Sequence, residues 1–197
     1  HLHATSGRPR KVMTAHETLL DRYAELTIKS GLGLKPGQQL LLTAPIEAVD
    51  LVRRITFHAY KAGASLVTTL YNDEQASLMR YTAGHDAGFD TAPAWLFNGM
   101  AEAFKDGNCA RLAIIGEDPA LLSGQDPEKL SRANRARSKA YKPVIELITS
   151  FATNWCIISA LLYVLYTDGG ADPQRAAYFV GAAASISGLL QLMWLWY

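Results

Sequence analysis

The chain has 197 residues, 49% of them hydrophobic and 19% charged, which is enough apolar sequence for one domain, or one plus an appendage, and excludes disorder throughout. The 19 Lys+Arg stand against 18 Asp+Glu, a net charge of +1. That leaves no basic surplus to track a phosphate backbone, so nucleic acid is not a favoured partner.

Residues 1–12 are polar and basic, lack the apolar core of a signal peptide, and read as a disordered leader ahead of Met13. Thr14 followed by Glu17 is a capping-box pattern, and Leu19, Tyr23, Leu26 and Ile28 give the apolar face of a helix over 14–30. After a turn at Lys35, Pro36 and Gly37, the run 39–43 (QLLLT) has the length of a buried strand, stopped by Pro45. Val49, Val52, Ile55, Ala59 and Ala62 line one side of a second helix, with Gly63 in the C′ position. The β-branched run 65–71 predicts a second strand, and Asn72 with Gln75 the cap of a third helix. A helix over 91–105, a strand over 111–115 (RLAII), a helix over 127–141 ended by Pro143, and a strand over 154–160 (NWCIISA) complete the series. Strands joined by helical crossovers imply an open, mostly parallel sheet with helices on both faces, a Rossmann-like α/β fold spanning residues 13–160.

Segments along this stretch resemble a known family. Tyr23-Ala24-Glu25-Leu26, Leu34-Lys35-Pro36-Gly37-Gln38, Ala44-Pro45-Ile46-Glu47-Ala48 and Ala59-Tyr60-Lys61-Ala62-Gly63-Ala64 come first. Asn72-Asp73-Glu74, Pro93-Ala94-Trp95-Leu96, Gly116-Glu117-Asp118-Pro119, Leu121-Leu122-Ser123-Gly124, Asp126-Pro127-Glu128-Lys129 and Asn154-Trp155 follow in order. In that order and spacing they resemble the N-terminal α/β domain of the thermophilic aminopeptidase T family, over residues 14–160. The resemblance implies a cytoplasmic metallo-aminopeptidase that releases N-terminal amino acids from peptides with a pair of divalent metal ions. It also implies that the metal-binding glutamates, histidines and aspartate, with a catalytic tyrosine, belong to a C-terminal domain outside the segment of likeness. None of these transfers to a position of this chain. No catalytic, cofactor-binding or metal-binding residue is therefore assigned, no metal is expected to be bound, and the chain alone is expected to be inactive. Its expected partners are the missing C-terminal domain and, through the parent enzyme, peptide substrates; a homodimer is a further possibility.

The residues themselves point the same way. A two-metal hydrolytic site needs several carboxylates and imidazoles converging, one of them bridging. The five histidines, His1, His3, His16, His58 and His85, form no such cluster. His1 and His3 belong to the leader, and His58, near the C-terminal end of the second helix, suits a structural or solvated role. His85-Asp86 lies in a glycine-rich loop. Glu117-Asp118 follows a strand, where α/β proteins place functional loops, and is a candidate to touch a substrate ammonium or a partner. The plainer reading is that Asp118-Pro119 caps the next turn. Arg132, Arg135, Arg137, Lys139 and Lys142 spread around a helix and fit a solvated face better than a surface for anionic lipid or nucleic acid. Trp95 and Trp155 are expected in core or interdomain packing. Cys109 and Cys156, far apart and without a Cys-x-x-Cys pair, read as buried thiols in a reducing compartment. Gly31-Leu32-Gly33 lacks the third glycine of a dinucleotide fingerprint and precedes a strand, so it reads as a helix-ending turn, and a nucleotide-binding domain is the least favoured function.

Residues 161–197 are of another kind. The stretches 147–166 and 176–197 carry no charged side chain. The second, between Arg175 and the aromatic group Trp194, Trp196 and Tyr197, is long enough for the roughly 20 residues that cross a hydrocarbon core. This apolar helical segment makes 176–197 a candidate transmembrane helix and the inner membrane an alternative location. Asp172-Pro173-Gln174-Arg175 with Ser187-Gly188-Leu189-Leu190-Gln191-Leu192-Met193-Trp194 resembles one span of a bacterial lipid II flippase, although one or two spans transport nothing. The favoured reading is an aminopeptidase N-terminal domain joined at 160/161 to foreign sequence. The alternative is a non-catalytic, membrane-tethered α/β binding module.

Overall fold

In the computed structural model, which describes residues 14–160 apart from 117 and 119, the first helix starts on a capping box. The Glu17 N–H donates to Thr14 Oγ1 at 3.1 Å and the Thr14 N–H to Glu17 Oε2 at 2.8 Å, satisfying two amides that a helix start leaves without partners. Helix α1 (Ala15–Leu26) ends earlier than the expected residue 30. Its backbone widens into a π-helical stretch, Thr27–Leu32, and Gly33, at φ 61° in the left-handed region, ends it.

Strands β1 (Gln39–Pro45), β2 (Leu66–Asn72), β3 (Cys109–Ile115) and β4 (Trp155–Ser159) form one parallel sheet in the order β2-β1-β3-β4. The crossovers run through α2 (Val49–Lys61), then α3 (Glu74–Ala83) and α4 (Ala94–Phe104), then α5 (Pro127–Thr149). The chain steps from β1 outward to β2, then returns past β1 to β3 and β4. Right-handed crossovers in opposite directions put their helices on opposite faces. The two cores show this, because alternate residues of a strand face opposite ways. Leu40, Leu42 and Leu112 pack with Ile28, Leu51 and Ile55 beneath α1 and α2, while Leu41 and Cys109 pack with Phe97, Phe104, Val144 and Ile148 beneath α4 and α5. The expected open parallel α/β architecture with helices on both faces is the one found.

Three details correct the sequence reading. Helix α3 is capped by Asp73 and not by Asn72: Asp73 Oδ1 accepts from the N–H groups of Gln75 at 2.9 Å and Ala76 at 3.2 Å. Asn72 is still in β2, opposite Pro45, and a carboxylate is the better partner for a helix start. A further turn of 3-10 helix, Asp86–Asp90, precedes α4. Pro143, finally, does not end α5, which continues to Thr149.

An interior proline removes one backbone hydrogen bond and crowds the carbonyl four residues earlier, at a cost of about 3 kcal/mol. Here Pro143 and Lys139 are both exposed, so water can reach the freed carbonyl. Val144 and Ile148 are buried just beyond, and each such side chain returns about 1.5–3 kcal/mol. Burial therefore carries the helix through the proline. Pro143→Ala is expected to stabilise the domain by about 1–2 kcal/mol in urea unfolding. A loss of stability would show instead that the α4–α5 packing depends on the proline's distortion.

The uncharged stretch that begins at residue 147 is, as far as 160, the end of α5 and strand β4. Among the described residues no helix is long and apolar enough to cross a membrane. The leader, the candidate span 176–197 and the flippase-like motif lie outside the described residues.

Candidate functional site

In an open parallel sheet, ligands gather at the carboxyl ends of the strands, where the strand order changes direction. That point lies here between β1 and β3. Its walls approach closely: a Cβ at Gly116 would stand 2.9 Å from Ala160 Cβ and 3.8 Å from Pro45 Cγ. Three carboxylates near it each accept from backbone amides. Glu74 Oε1 accepts from the Asp118 N–H at 2.7 Å, Asp118 Oδ1 from the Ala120 N–H at 2.9 Å, and Asp73 caps α3. Asp118 thus takes the turn-capping role, while its neighbours Glu117 and Pro119 lie outside the described residues. Among the described residues no group of three or more His, Cys, Asp or Glu is placed to hold a metal ion. The metal pair implied by the family resemblance therefore finds no matching group of donors among the described residues.

The remaining candidates have structural partners. His58, buried in α2, places Nε2 3.0 Å from Asp21 Oδ1, which also lies 3.9 Å from Arg54, so this group fastens α2 to α1. His85 is exposed, and His16 is half-buried on α1. Cys109 is buried and Cys156 half-buried, and burial pushes both thiols up, away from the thiolate form a nucleophile needs. Burial likewise raises Tyr23, with a smaller contribution from Cys156 nearby, and its hydroxyl reaches the Ser159 carbonyl at 3.5 Å. Trp155 packs against the α4–α5 core as expected, but Trp95 does not lie in the core: it stands exposed in the first turn of α4.

Arg132 departs from the solvated basic face. It grips Asp86 with Nη1 at 2.9 Å and Asp90 with Nε at 3.1 Å and Nη2 at 2.5 Å, clamping the 3-10 turn onto α5. Arg135, Arg137, Lys139 and Lys142 are exposed as expected. Hydrogen bonds from Arg132 hold both aspartates below the usual carboxyl value of about 3.9. A depressed carboxyl stabilises the fold above its unfolded value, and that contribution is lost as pH falls through the folded value. Hydrogen exchange over residues 84–93 is therefore expected to accelerate as pH is lowered below about 4, after correction for intrinsic rates. In Arg132→Ala the segment should be open already at neutral pH. An unchanged profile in that variant would mean that the clamp does not hold the turn.

A buried polar side chain that the sequence does not single out joins the loops at the other end of the sheet. Gln38, at the amino edge of the sheet, donates from Nε2 to the Gly107 carbonyl at 2.7 Å and to Asn154 Oδ1 at 2.6 Å, while its Oε1 accepts from the Lys35 N–H at 3.1 Å. Asn154 Nδ2 in turn donates to the carbonyls of Leu32 at 3.0 Å and Gly33 at 3.3 Å. Three loops, those that lead into β1, β3 and β4, are tied together there. Both residues fall within segments that carry the family resemblance, which was the available signal.

Fold and edge chemistry together define a doubly wound, parallel α/β domain. The profile of the thermophilic metalloprotease (M29) family matches residues 16–161, and the chain belongs to that family. It is similar to aminopeptidase T of Thermus thermophilus, 49% identical over 146 residues that make up 74% of this chain and 36% of that protein. Aminopeptidase 2 of Geobacillus stearothermophilus is 34% identical over 147 residues, 75% of this chain and 35% of that one. A solved structure, wild-type AmpT from Thermus thermophilus, superposes with a TM-score of 0.74 at 43% identity, covering 84% of this chain and 42% of the other. The chain spans about a third of the length of the curated relatives it matches. None of these likenesses supports the flippase resemblance of the tail.

Proposed function

We propose that residues 14–160 are the N-terminal α/β domain of a metal-dependent aminopeptidase that hydrolyses N-terminal amino acids from peptides. The family match over 16–161, at 49% identity to aminopeptidase T, carries this reading. Two divalent metal ions and the groups that bind them belong to the part of such an enzyme that this domain does not supply. The domain itself offers a wall of the substrate approach and a packing surface. It works in the cytoplasm, a location supported by the free thiols of Cys109 and Cys156.

The test compares the 197-residue chain with a fusion in which residues 14–160 replace the matched third of aminopeptidase T. The chain alone is expected to release no amino acid from a peptide. The fusion is expected to release N-terminal residues in a reaction that a chelator abolishes and added divalent metal restores. Release by the purified chain alone, or a folded fusion that stays inert with metal, overturns the proposal. Retention of the native chain in membranes after a high-salt wash overturns the cytoplasmic location.

A further inference from the structure

The register of the sheet decides which backbone groups of β2 face outward. The Gln39 N–H donates to the Asn108 carbonyl at 2.8 Å, so the odd-numbered residues of β1 bond to β3 and the even-numbered ones, Leu40, Leu42 and Ala44, bond to β2. In that register β2 turns the N–H and C=O of Leu66, Thr68 and Leu70 towards β1, and those of Val67, Thr69 and Tyr71 away from the sheet. The Val67 N–H agrees, because it donates to Tyr60 Oη of α2 at 3.1 Å. Beyond that bond, the amides of Thr69 and Tyr71 and the carbonyls of Val67, Thr69 and Tyr71 meet no partner among the described residues.

Folded chains blunt such an edge with a charge, a proline, a bulge or a very short strand. β2 has none of these. Its seven residues, LVTTLYN, are uncharged and stay in continuous register with β1 from Leu66 to Asn72. The other edge strand, β4, is shorter, at five residues, and its outer Ser159 carbonyl is met by the Tyr23 hydroxyl at 3.5 Å.

Side chains of α2 flank the open backbone. Tyr60, 48% exposed, is held at the edge by its bond to Val67, and Phe57, one turn earlier on the same side of the helix, is 61% exposed. The ends of the strand differ in charge, with Lys61 exposed before it and Asp73 exposed after it. A row of unpaired amides and carbonyls two residues apart fits another extended backbone. The end charges set its direction, ammonium at Asp73 and carboxylate towards Lys61, which is antiparallel to β2 and the stronger of the two pairings. That direction carries the amino end of a peptide to the carboxyl edge, where the ligands of parallel sheets gather. We infer that the outer edge of β2 binds a peptide substrate as an added antiparallel strand, with apolar side chains on its α2 face against Tyr60 and Phe57. The choice of a peptide rests on the aminopeptidase reading, whereas the open edge rests on the register.

Amide exchange followed by NMR on the 197-residue chain tests it, with the peptide Thr-Val-Thr-Val-Thr, free at both ends, as the probe. Saturating peptide is expected to slow exchange at Thr69 and Tyr71 about tenfold, while Thr68 and Leu70, already bonded to β1, stay unchanged. Two N-methylated forms of the probe separate backbone pairing from side-chain contact, because both keep every side chain. Residues directly opposite in an antiparallel pair share a face, so valines placed on the α2 face stand opposite Val67, Thr69 or Tyr71 and aim their amides at β2. Methylation of the valine nitrogens should therefore weaken binding about tenfold for each bond lost, and methylation of the interior and last threonine nitrogens should leave it as in the parent. No protection at saturation, or equal binding by the two methylated forms, overturns the inference. Protection of Thr69 and Tyr71 that grows with the concentration of the chain alone assigns the edge to a second copy and also overturns it. Peptidase activity of the fusion is a separate readout. An active fusion beside a chain that leaves Thr69 and Tyr71 unprotected removes the edge site and keeps the enzyme, whereas an inert, folded fusion beside a chain that binds the probe as stated keeps the edge and removes the enzyme.

Discussion

Replacing Gln38 with leucine is expected to cost about 3 kcal/mol of folding stability, seen as a lower urea midpoint with an unchanged slope. The two side chains are close in size, so the loss is polar and not steric. The Gln38 side chain is buried, and its amide meets the Gly107 carbonyl, Asn154 Oδ1 and the Lys35 N–H. Leucine leaves all three without that partner, and each enclosed polar group left unsatisfied costs about 1–3 kcal/mol. Asn154→Leu should also destabilise, because it frees the Leu32 and Gly33 carbonyls as well as the Gln38 amide. The double variant is expected to lose about 1 kcal/mol less than the sum of the singles, since both remove the same bond. Simple additivity, or a loss below about 1 kcal/mol for Gln38→Leu, would show that water replaces the network at little cost.

Much of the architecture was legible because a parallel sheet covered on both faces needs strands that are apolar throughout. Runs such as 39–43 and 111–115 announce such strands, and the amphipathic stretch that becomes α2 announces a crossover. Two of the misreadings share a cause, a local signal overruled by a distant partner. Pro143 is a helix breaker in isolation, but the burial of Val144 and Ile148 depends on α4 and on the sheet. Arg132 sits among solvated bases in the sequence, yet its aspartates lie 42 and 46 residues earlier. The glycine-rich segment around His85 has no periodicity to read. Phe89 organises it, fully buried against Tyr81 with Arg80 and Lys129 over its ring. At the candidate site, the ordinary role of Asp118 could be read from the turn chemistry of Asp-Pro. The Gln38–Asn154 contact could not, because the two residues are 116 positions apart and neither carries a charge.

Phe104→Ala is expected to cost about 3–5 kcal/mol, a large share of the 5–15 kcal/mol that typically holds a domain folded. Phe104 is fully buried where α4 meets the sheet, in the smaller of the two cores. Its neighbours cannot readily fill the space. Phe97 is held edge-on by Tyr141, ring centroids 5.2 Å apart, and Cys109 and Leu41 are fixed in the sheet. The void therefore persists, and the cost includes the cavity as well as the lost transfer energy. The damage should also be uneven. The α1–α2 core lies on the opposite face and shares with this one only the sheet between them. Hydrogen exchange in α4 and α5 is expected to quicken more than in α1 and α2, as local opening becomes cheaper than global unfolding. A uniform increase would mean that the two faces unfold as one cooperative unit. A cost below about 2 kcal/mol would mean that α4 settles into the vacated space.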